Sequence, residues 1–341
     1  MKRYLQKLSD GHSLEREEMR GAVQELFKED TTESQIACFL TLLKMKGETV
    51  GEMTALVEVL REKALPVTST LKDVLDNCGT GGDGSQSFNI STTSAFVLAG
   101  AGVKVAKHGN RSISSRTGSA DVLEHLGISL DFQAHEVEIL LNETNIAFLY
   151  APHIHSGLKK IMKVRKELKI PTIFNLIGPL TNPVQLETQL VGVYRRDKLE
   201  IMARVLRELG RKRAIVLNGA DYMDEASLAG ENHLVLLENG EISSFTLSGN
   251  EVGLPSYTLE EIKGGDARDN ARILQDVLQG KEGAYTDTVL FNAGIALVAH
   301  GKASTFREGV KLARESIESG RANDALSSLV HYSRQRRKQV I

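Results

Sequence analysis

The sequence predicts an α/β protein in two parts: a small all-helical N-terminal domain and a large domain built on a mainly parallel sheet. Three observations carry that expectation. Residues 1–65 show only helix starts, helix stops and apolar residues at helical spacing. From about Val74, short apolar runs alternate with helical segments, the pattern of a parallel sheet covered on both faces. A length of 341 residues and a hydrophobic fraction of 41% suit one large or two modest domains with a sizeable core.

In the first part, Ser13 is the expected N-cap of a helix with Glu15 and Glu17 in its first turn, although Arg16 stands where a capping box wants Glu or Gln. Thr32 with Gln35 completes a capping box, and Ile36, Phe39, Leu40 and Leu43 then form one apolar stripe that stops at Gly47. Thr49 with Glu52 opens a third helix, closed by Pro66. Residues 66–72 read as a linker. Strands are expected at 74–76, 103–106, 146–150, 190–193, 214–217 and 233–237, with helices at 91–99, 120–125, 136–142 and 199–209. Residues 156–187 interrupt the alternation with a basic helix, GLKKIMKVRKEL, and the loop GPLTNP. This excursion is expected to pack back on the N-terminal helices. The small domain would then comprise 1–68 and 156–187, and the large one 69–155 and 188–341. From about Asp269 the chain reads as helical, ending in a basic tail.

A net charge of −2 gives no global field for nucleic acid or membrane, so any anion site must be local. The basic tail, RQRRKQVI, has no interleaved aromatics beyond Tyr332 and reads as a solvated helix end. Two cysteines, Cys38 and Cys78, in unrelated contexts argue against a disulfide framework or a zinc site. No signal-peptide core and no run of about 18 apolar residues is present, so a cytoplasmic protein is expected.

The chemistry concentrates between residues 76 and 119. Gly79, Gly81, Gly82 and Gly84 follow a short apolar run, and from Ser85 to Ala120 there is no Asp or Glu, while Lys104, Lys107, Arg111 and Arg116 are present. Glycines that let backbone N–H groups approach a ligand, hydroxyls and cations without carboxylates suit a polyanion. Gly79, Gly81 and Gly84 match G-x-G-x-x-G, but the acid-free interval excludes the ribose-binding acid that a dinucleotide site needs about twenty positions on. Ser85 stands where a Walker A loop would have its lysine. Asn89, Ser91 and Thr92 fall at a helix start, where their hydroxyls and amides can both cap the helix and meet phosphate. The loop KHGNRSISSRTGS offers a second cluster of donors. Thus Gly79 to Thr92 is expected to hold one anion, and Lys107 to Ser119 a second phosphate or a sugar.

Asp224 and Glu225 follow a strand. Alone they read as solvated surface; beside a phosphate loop they suit Mg²⁺, which shares its shell with substrate phosphates. Arg165 lies among Lys159, Lys160, Lys163 and Lys166 on a helix, a pattern usually solvated, but a guanidinium can grip a carboxylate through two parallel hydrogen bonds. His153 and His155 lack further ligands at metal spacing, and no nucleophile–base arrangement is evident.

These motifs resemble the anthranilate phosphoribosyltransferases over essentially the whole chain: GTGGDG from Gly79, FNIST from Phe88, KHGNR from Lys107, TGSADVLE from Thr117, FLYAP, VRKEL around Arg165, FNLIGPLTNP from Phe174, GVY from Gly192 and MDEASL from Met223. The resemblance implies transfer of the phosphoribosyl group of phosphoribosyl pyrophosphate to anthranilate. It also implies a fold like the type II nucleoside phosphorylases, with the active site at a hinge between the domains, and a homodimer. It places phosphoribosyl pyrophosphate against Gly79, Gly82, Asp83, Ser87, Asn89, Ile90, Ser91, Thr92, Lys107, His108, Gly109, Asn110, Arg111, Ser112, Ile113, Ser114, Ser115 and Ser119. Anthranilate would meet Gly79, Asn110 and Arg165. Mg²⁺, two ions per site, would be held by Ser91, Asp224 and Glu225. Ser87 stands where many relatives have Thr, which keeps the hydroxyl. A phosphate-using nucleoside phosphorylase and a non-catalytic binding homologue are the rival readings. The Asp224–Glu225 pair and FNLIGPLTNP count against the first, and the intact metal and phosphate set against the second.

Overall fold

The computed structural model describes residues 1–67, 70–111 and 116–339. Four helices open the chain: α1 (Lys2–Ser9), α2 (Arg16–Leu26), α3 (Glu33–Lys46) and α4 (Val50–Glu62). The Thr32–Gln35 and Thr49–Glu52 capping boxes form as expected, and Gly47 ends α3 at φ 87°. The start of α2 differs from expectation. Glu15 is the N-cap and closes a box with Glu18, while the Ser13 hydroxyl accepts from Lys46 instead. A carboxylate serves as well as a hydroxyl at this position and also favours the positive end of the helix dipole.

Seven strands form one sheet in the order β3-β2-β1-β4-β5-β6-β7: β1 (Val74–Gly79), β2 (Lys104–Gly109), β3 (Ile146–Tyr150), β4 (Thr188–Gly192), β5 (Arg213–Asn218), β6 (Asn232–Glu238) and β7 (Glu241–Leu247). β1 to β5 pair in parallel, and β6 and β7 add an antiparallel edge. Two features depart from the sequence reading. β7 was not expected there. β2 runs on through Lys107, His108 and Gly109, which the sequence had placed in a loop. Between the strands lie α5 (Ile90–Gly100), α6 (Ser119–His125), α7 (Ala134–Glu143), the short α8 (Ala151–Ile154), α9 (Lys159–Leu168), the short α10 (Phe174–Ile177) and α11 (Leu199–Glu208). Helices α12 (Ala267–Leu278), α13 (Ala284–His300), α14 (Phe306–Glu318) and α15 (Arg321–Gln339) finish the chain.

The period of two in β4, β5 and β6 divides the apolar interior. Leu190, Ile215, Leu217 and Leu234 face a core with α5 and α13, whereas Val191, Val193, Val216, Val235 and Leu237 face a core with the N-terminal helices and α11. Ile161, Val164, Ile173, Leu176 and Leu180 from the 156–187 excursion join this second core. Lys163 also pairs with Glu33 of α3 at 2.7 Å.

The excursion returns to the sheet through Asn182, which is fully buried. Its Nδ2 donates to Asp76 Oδ2 (3.1 Å) and to the Ala106 carbonyl (2.8 Å), so GPLTNP ties β1 to β2. His155 Nε2 lies 3.0 Å from the Thr181 carbonyl, and its ring packs edge-on against His108. Among the described residues no helix is long and apolar enough to cross a membrane.

Candidate active site

The parallel strands deliver their carboxyl ends to one edge, where open α/β sheets bind ligands. β1 ends at Gly79, β4 at Gly192 and β5 at Asn218. The loop after β5 folds back over the first two. A Cβ on Gly79 would run into the Asp224 side chain, and one on Gly192 would overlap the Asp224 carbonyl. Glycine at these two positions is therefore what lets Asp224 reach the sheet edge. In the following turn Gly81, Gly82 and Gly84 all take positive φ, a left-handed conformation that glycine adopts without strain.

Gly81 N–H donates to Asp224 Oδ2 at 2.6 Å. Asp83 Oδ2 accepts from Asp224 N–H at 3.4 Å, and its Oδ1 from Ser85 N–H at 3.1 Å. Glu225 Oε1 accepts the Ser91 N–H at 3.2 Å, and the Ser91 hydroxyl also bonds this carboxylate. Glu225 thus occupies the amino end of α5, where bare amides favour negative charge. The capping role expected of Asn89 is not seen: its side chain makes no cap bond, and instead donates to the Thr117 carbonyl and accepts from Asn270 at 2.8 Å.

Three carboxylates therefore meet, Asp224 buried and Asp83 and Glu225 half-buried. Burial first, then the charges of Asp83 and Glu225, push the Asp224 carboxyl well above the usual range. Burial likewise raises Glu225, against the pull of Lys107. Groups that resist ionisation for want of a counter-charge fit a hard cation. Among the described residues no three His, Cys, Asp or Glu enclose a metal, so an ion on Asp224, Glu225 and Ser91 would complete its shell with water and ligand oxygens, as Mg²⁺ commonly does.

Lys107 is buried, and its Nζ donates to the Asn77 carbonyl at 2.7 Å. It acts from inside the sheet, where the expectation was a loop residue facing ligand. His108 is also buried; its N–H donates to Asp76 Oδ1 at 3.2 Å, and burial draws its imidazole down to about 3. Arg111 is engaged by carboxylates beyond the acid-free interval, Asp121 at 2.8 Å and Glu124 at 2.9 Å. Asn110 accepts the Arg111 N–H on its side chain and the Ala120 N–H on its carbonyl. Ser112, Ile113, Ser114 and Ser115 lie outside the described residues. The two expected anion regions touch: Thr92 Oγ1 donates to Ser119 Oγ at 2.8 Å. The bridge Ser87–Lys263 and the bond from Gly264 N–H to Gln86 O brace the glycine turn from the far side.

Arg165 stands apart on α9. Its guanidinium contacts Asn175 Oδ1 (3.3 Å), Met162 Sδ (3.1 Å) and the Phe174 ring. Burial lowers it to about 10, and among the described residues no carboxylate is paired with it. A desolvated guanidinium held this way can receive a planar anion.

The sequence reading passed over several buried asparagines that hold the Asp224 loop. Asn218 Nδ2 donates to the Val193 carbonyl, Asn232 grips Ser227, and Asn292 grips Ala226. The available signal was a lone amide inside an apolar run, as in TVLFNAGIALVA around Asn292.

Comparison with known proteins agrees with this geometry. Residues 71–323 match the α/β domain of a glycosyl transferase family, and residues 2–64 its helical bundle domain. An anthranilate phosphoribosyltransferase of Exiguobacterium sibiricum is 59% identical over 335 residues, covering 98% of this chain and 99% of that one. One from Bacillus cereus is 55% identical over 340 residues and the full length of both. The crystal structure of the Thermus thermophilus enzyme superposes with a TM-score of 0.90 at 38% identity, covering 97% of this chain and 99% of that chain. The Saccharomyces cerevisiae enzyme in complex with phosphoribosyl pyrophosphate and Mg also superposes at 0.90, with 27% identity and 97% of each chain covered. By sequence over its full length and by fold, this chain belongs to the anthranilate phosphoribosyltransferase family.

Proposed function

We infer that the protein transfers the 5-phosphoribosyl group of phosphoribosyl pyrophosphate to the amine of anthranilate, releasing pyrophosphate, a step of tryptophan biosynthesis. The observation that carries this reading is the meeting of the Gly79–Gly84 turn, the start of α5 and the Asp224–Glu225 pair at one sheet edge. Departure of pyrophosphate from the anomeric carbon leaves an oxocarbenium-like sugar and a polyanion, so leaving-group stabilisation is the main requirement and no covalent nucleophile is called for. Amides of the glycine turn and of the α5 start would receive the pyrophosphate. Thr92 and Ser119, already in contact, would bind at the junction with the ribose phosphate, together with Asn110. Bound Mg²⁺ would supply charge neutralisation of the pyrophosphate, held by Asp224, Glu225 and Ser91, with two ions per site. Arg165 would pair with the anthranilate carboxylate and so aim its amine, which is already unprotonated at neutral pH, at the sugar.

Two further parts of this reading concern organisation. One is the division into 1–68 with 156–187 and 69–155 with 188–341, supported by the shared core of α9, α10 and the N-terminal helices. The other is assembly as a homodimer. The test is to mix the protein with anthranilate, phosphoribosyl pyrophosphate and Mg²⁺ and follow anthranilate fluorescence. Loss of signal that needs all three components is expected. Phosphate-dependent nucleoside cleavage, or ligand binding with no turnover, would overturn the reading.

A further inference from the structure

Asp224 and Glu225 sit on a loop with little regular structure, yet their carboxylates must be aimed within a few tenths of an ångström. Two residues just before them, Asp221 and Tyr222, take left-handed backbone conformations with φ 58° and 61°, which non-glycine residues rarely adopt. Something else must hold the loop. Immediately after Glu225, the Ala226 backbone is gripped at both its polar groups by one side chain. Asn292 Oδ1 accepts the Ala226 N–H at 2.9 Å, and Asn292 Nδ2 donates to the Ala226 carbonyl at 2.8 Å. The second Nδ2 hydrogen goes to the Thr288 carbonyl at 2.9 Å, one turn back along α13. Asn292 is buried, and both N–H donors and the oxygen of its carboxamide are engaged. Phe291 and Ala293 on either side are fully buried in the apolar core, so the helix cannot shift to follow the loop.

We propose that Asn292 is a positioning residue for the cation-binding pair: by pairing with Ala226 as a strand neighbour would, it fixes the peptide that leaves Glu225 and so the direction of the Glu225 carboxylate toward Ser91. The inference rests on the assignment of Asp224 and Glu225 as metal carboxylates. An apolar side chain of the same size would leave both Ala226 groups unpaired, whereas a carboxamide presents a donor and an acceptor at the spacing one peptide needs. Outer partners that orient metal ligands typically change affinity about 10- to 100-fold when removed.

The test uses Mn²⁺ as a probe ion with pyrophosphate, in the absence of turnover, and reads free Mn²⁺ by electron paramagnetic resonance. Asn292→Asp keeps the shape and loses the two donors; Asn292→Ser keeps a small polar group. Both are expected to weaken Mn²⁺ binding about tenfold or more, at a temperature where circular dichroism shows each folded. Unchanged Mn²⁺ affinity in a folded variant would overturn the proposal, and so would failure of both variants to fold, which would assign Asn292 to the fold alone. Glu225→Gln is measured alongside. If it leaves Mn²⁺ affinity unmoved, the metal assignment itself fails; if it weakens binding while the Asn292 variants do not, only the present inference falls.

Discussion

Gly192→Ala isolates the close approach between the end of β4 and the Asp224 loop. The added methyl group would overlap the Asp224 carbonyl oxygen and stand 2.5 Å from its carbon. Backbone cannot swing aside as the tip of a side chain can, so restoring ordinary contact requires the loop to retreat by roughly 2 Å. Overpacking of this kind costs about 1–3 kcal/mol of stability. Displacing reacting groups by about 1 Å costs on the order of a hundredfold in rate, or about 2.7 kcal/mol of barrier. Thermal unfolding gives the first quantity and anthranilate fluorescence the second, with a Mg²⁺ titration to show whether excess ion restores part of the rate. Gly51→Ala is the internal control. Gly51 lies inside α4 with nothing within 4 Å of an added Cβ. That variant should gain about 0.5–1 kcal/mol from helix propensity and leave the rate alone. If Gly192→Ala matched the parent in both stability and turnover, the reasoning from Asp224 contact would be refuted.

Replacing Arg165 by Ala should raise KM for anthranilate by about 10- to 100-fold, the scale of a lost charge-assisted hydrogen-bond pair, and move KM for phosphoribosyl pyrophosphate little; steady-state kinetics in both substrates would reject the role if the pattern reversed. Arg165→Lys should rescue poorly, because an ammonium cannot make the planar two-point contact. The double variant Asp224→Asn with Glu225→Gln should lose activity yet melt higher than the metal-free parent, since burial and mutual charge oppose both carboxylates; a lower melting temperature would contradict that account. Acid should destabilise the fold through His108 and His155, which burial draws down to about 3 and about 4. Unfolded imidazoles bind protons below about 6.5 while the folded ones do not, so stability falls as pH falls, by about 3 kcal/mol in all between about pH 6.5 and 5. Asp76, raised to about 6 by burial, works in the opposite sense and returns about 1 kcal/mol over the same window, and the raised carboxyls of Asp224 and Glu225 act in that sense too. The histidine contribution is therefore read by difference: His108→Gln should remove roughly half of it from the pH dependence of the urea midpoint; equal pH slopes for parent and variant would exclude His108.

The sequence disclosed those parts of the molecule whose causes are local. Thr32–Gln35 and Thr49–Glu52 cap helices through bonds three residues apart, and both form. Strands β3 to β6 are apolar enough to read from composition, because helices or the N-terminal bundle cover both faces. β7 was hidden because its residues, EISSFTL, are mostly exposed edge positions without an alternating apolar face. Lys107 looked like a loop cation because lysine is seldom buried, and only the Asn77 carbonyl, brought alongside by sheet pairing, accounts for its place in β2. The same limit explains Arg111, whose carboxylate partners become neighbours only once α6 forms. In the site, glycines and carboxylates were legible as types, whereas the reason for Gly79 and Gly192 is a loop arriving from more than thirty residues away in sequence.

Strands β4 to β6 belong to two interiors at once, and this restricts how the protein can move. Were α11 and the N-terminal helices to lift from the sheet together, Val191, Val193, Val216, Val235 and Leu237 would be bared. At about 1.5–3 kcal/mol for each such side chain, that detachment would cost on the order of 10 kcal/mol, comparable to the whole stability of a typical domain. Sliding of α4 across α11, the helix that lies on β5 and β6, keeps these surfaces covered and escapes that cost. Motion between the two parts should therefore take the form of shear, a gliding of packed helices by an ångström or two, with both cores remaining closed to water throughout the catalytic cycle.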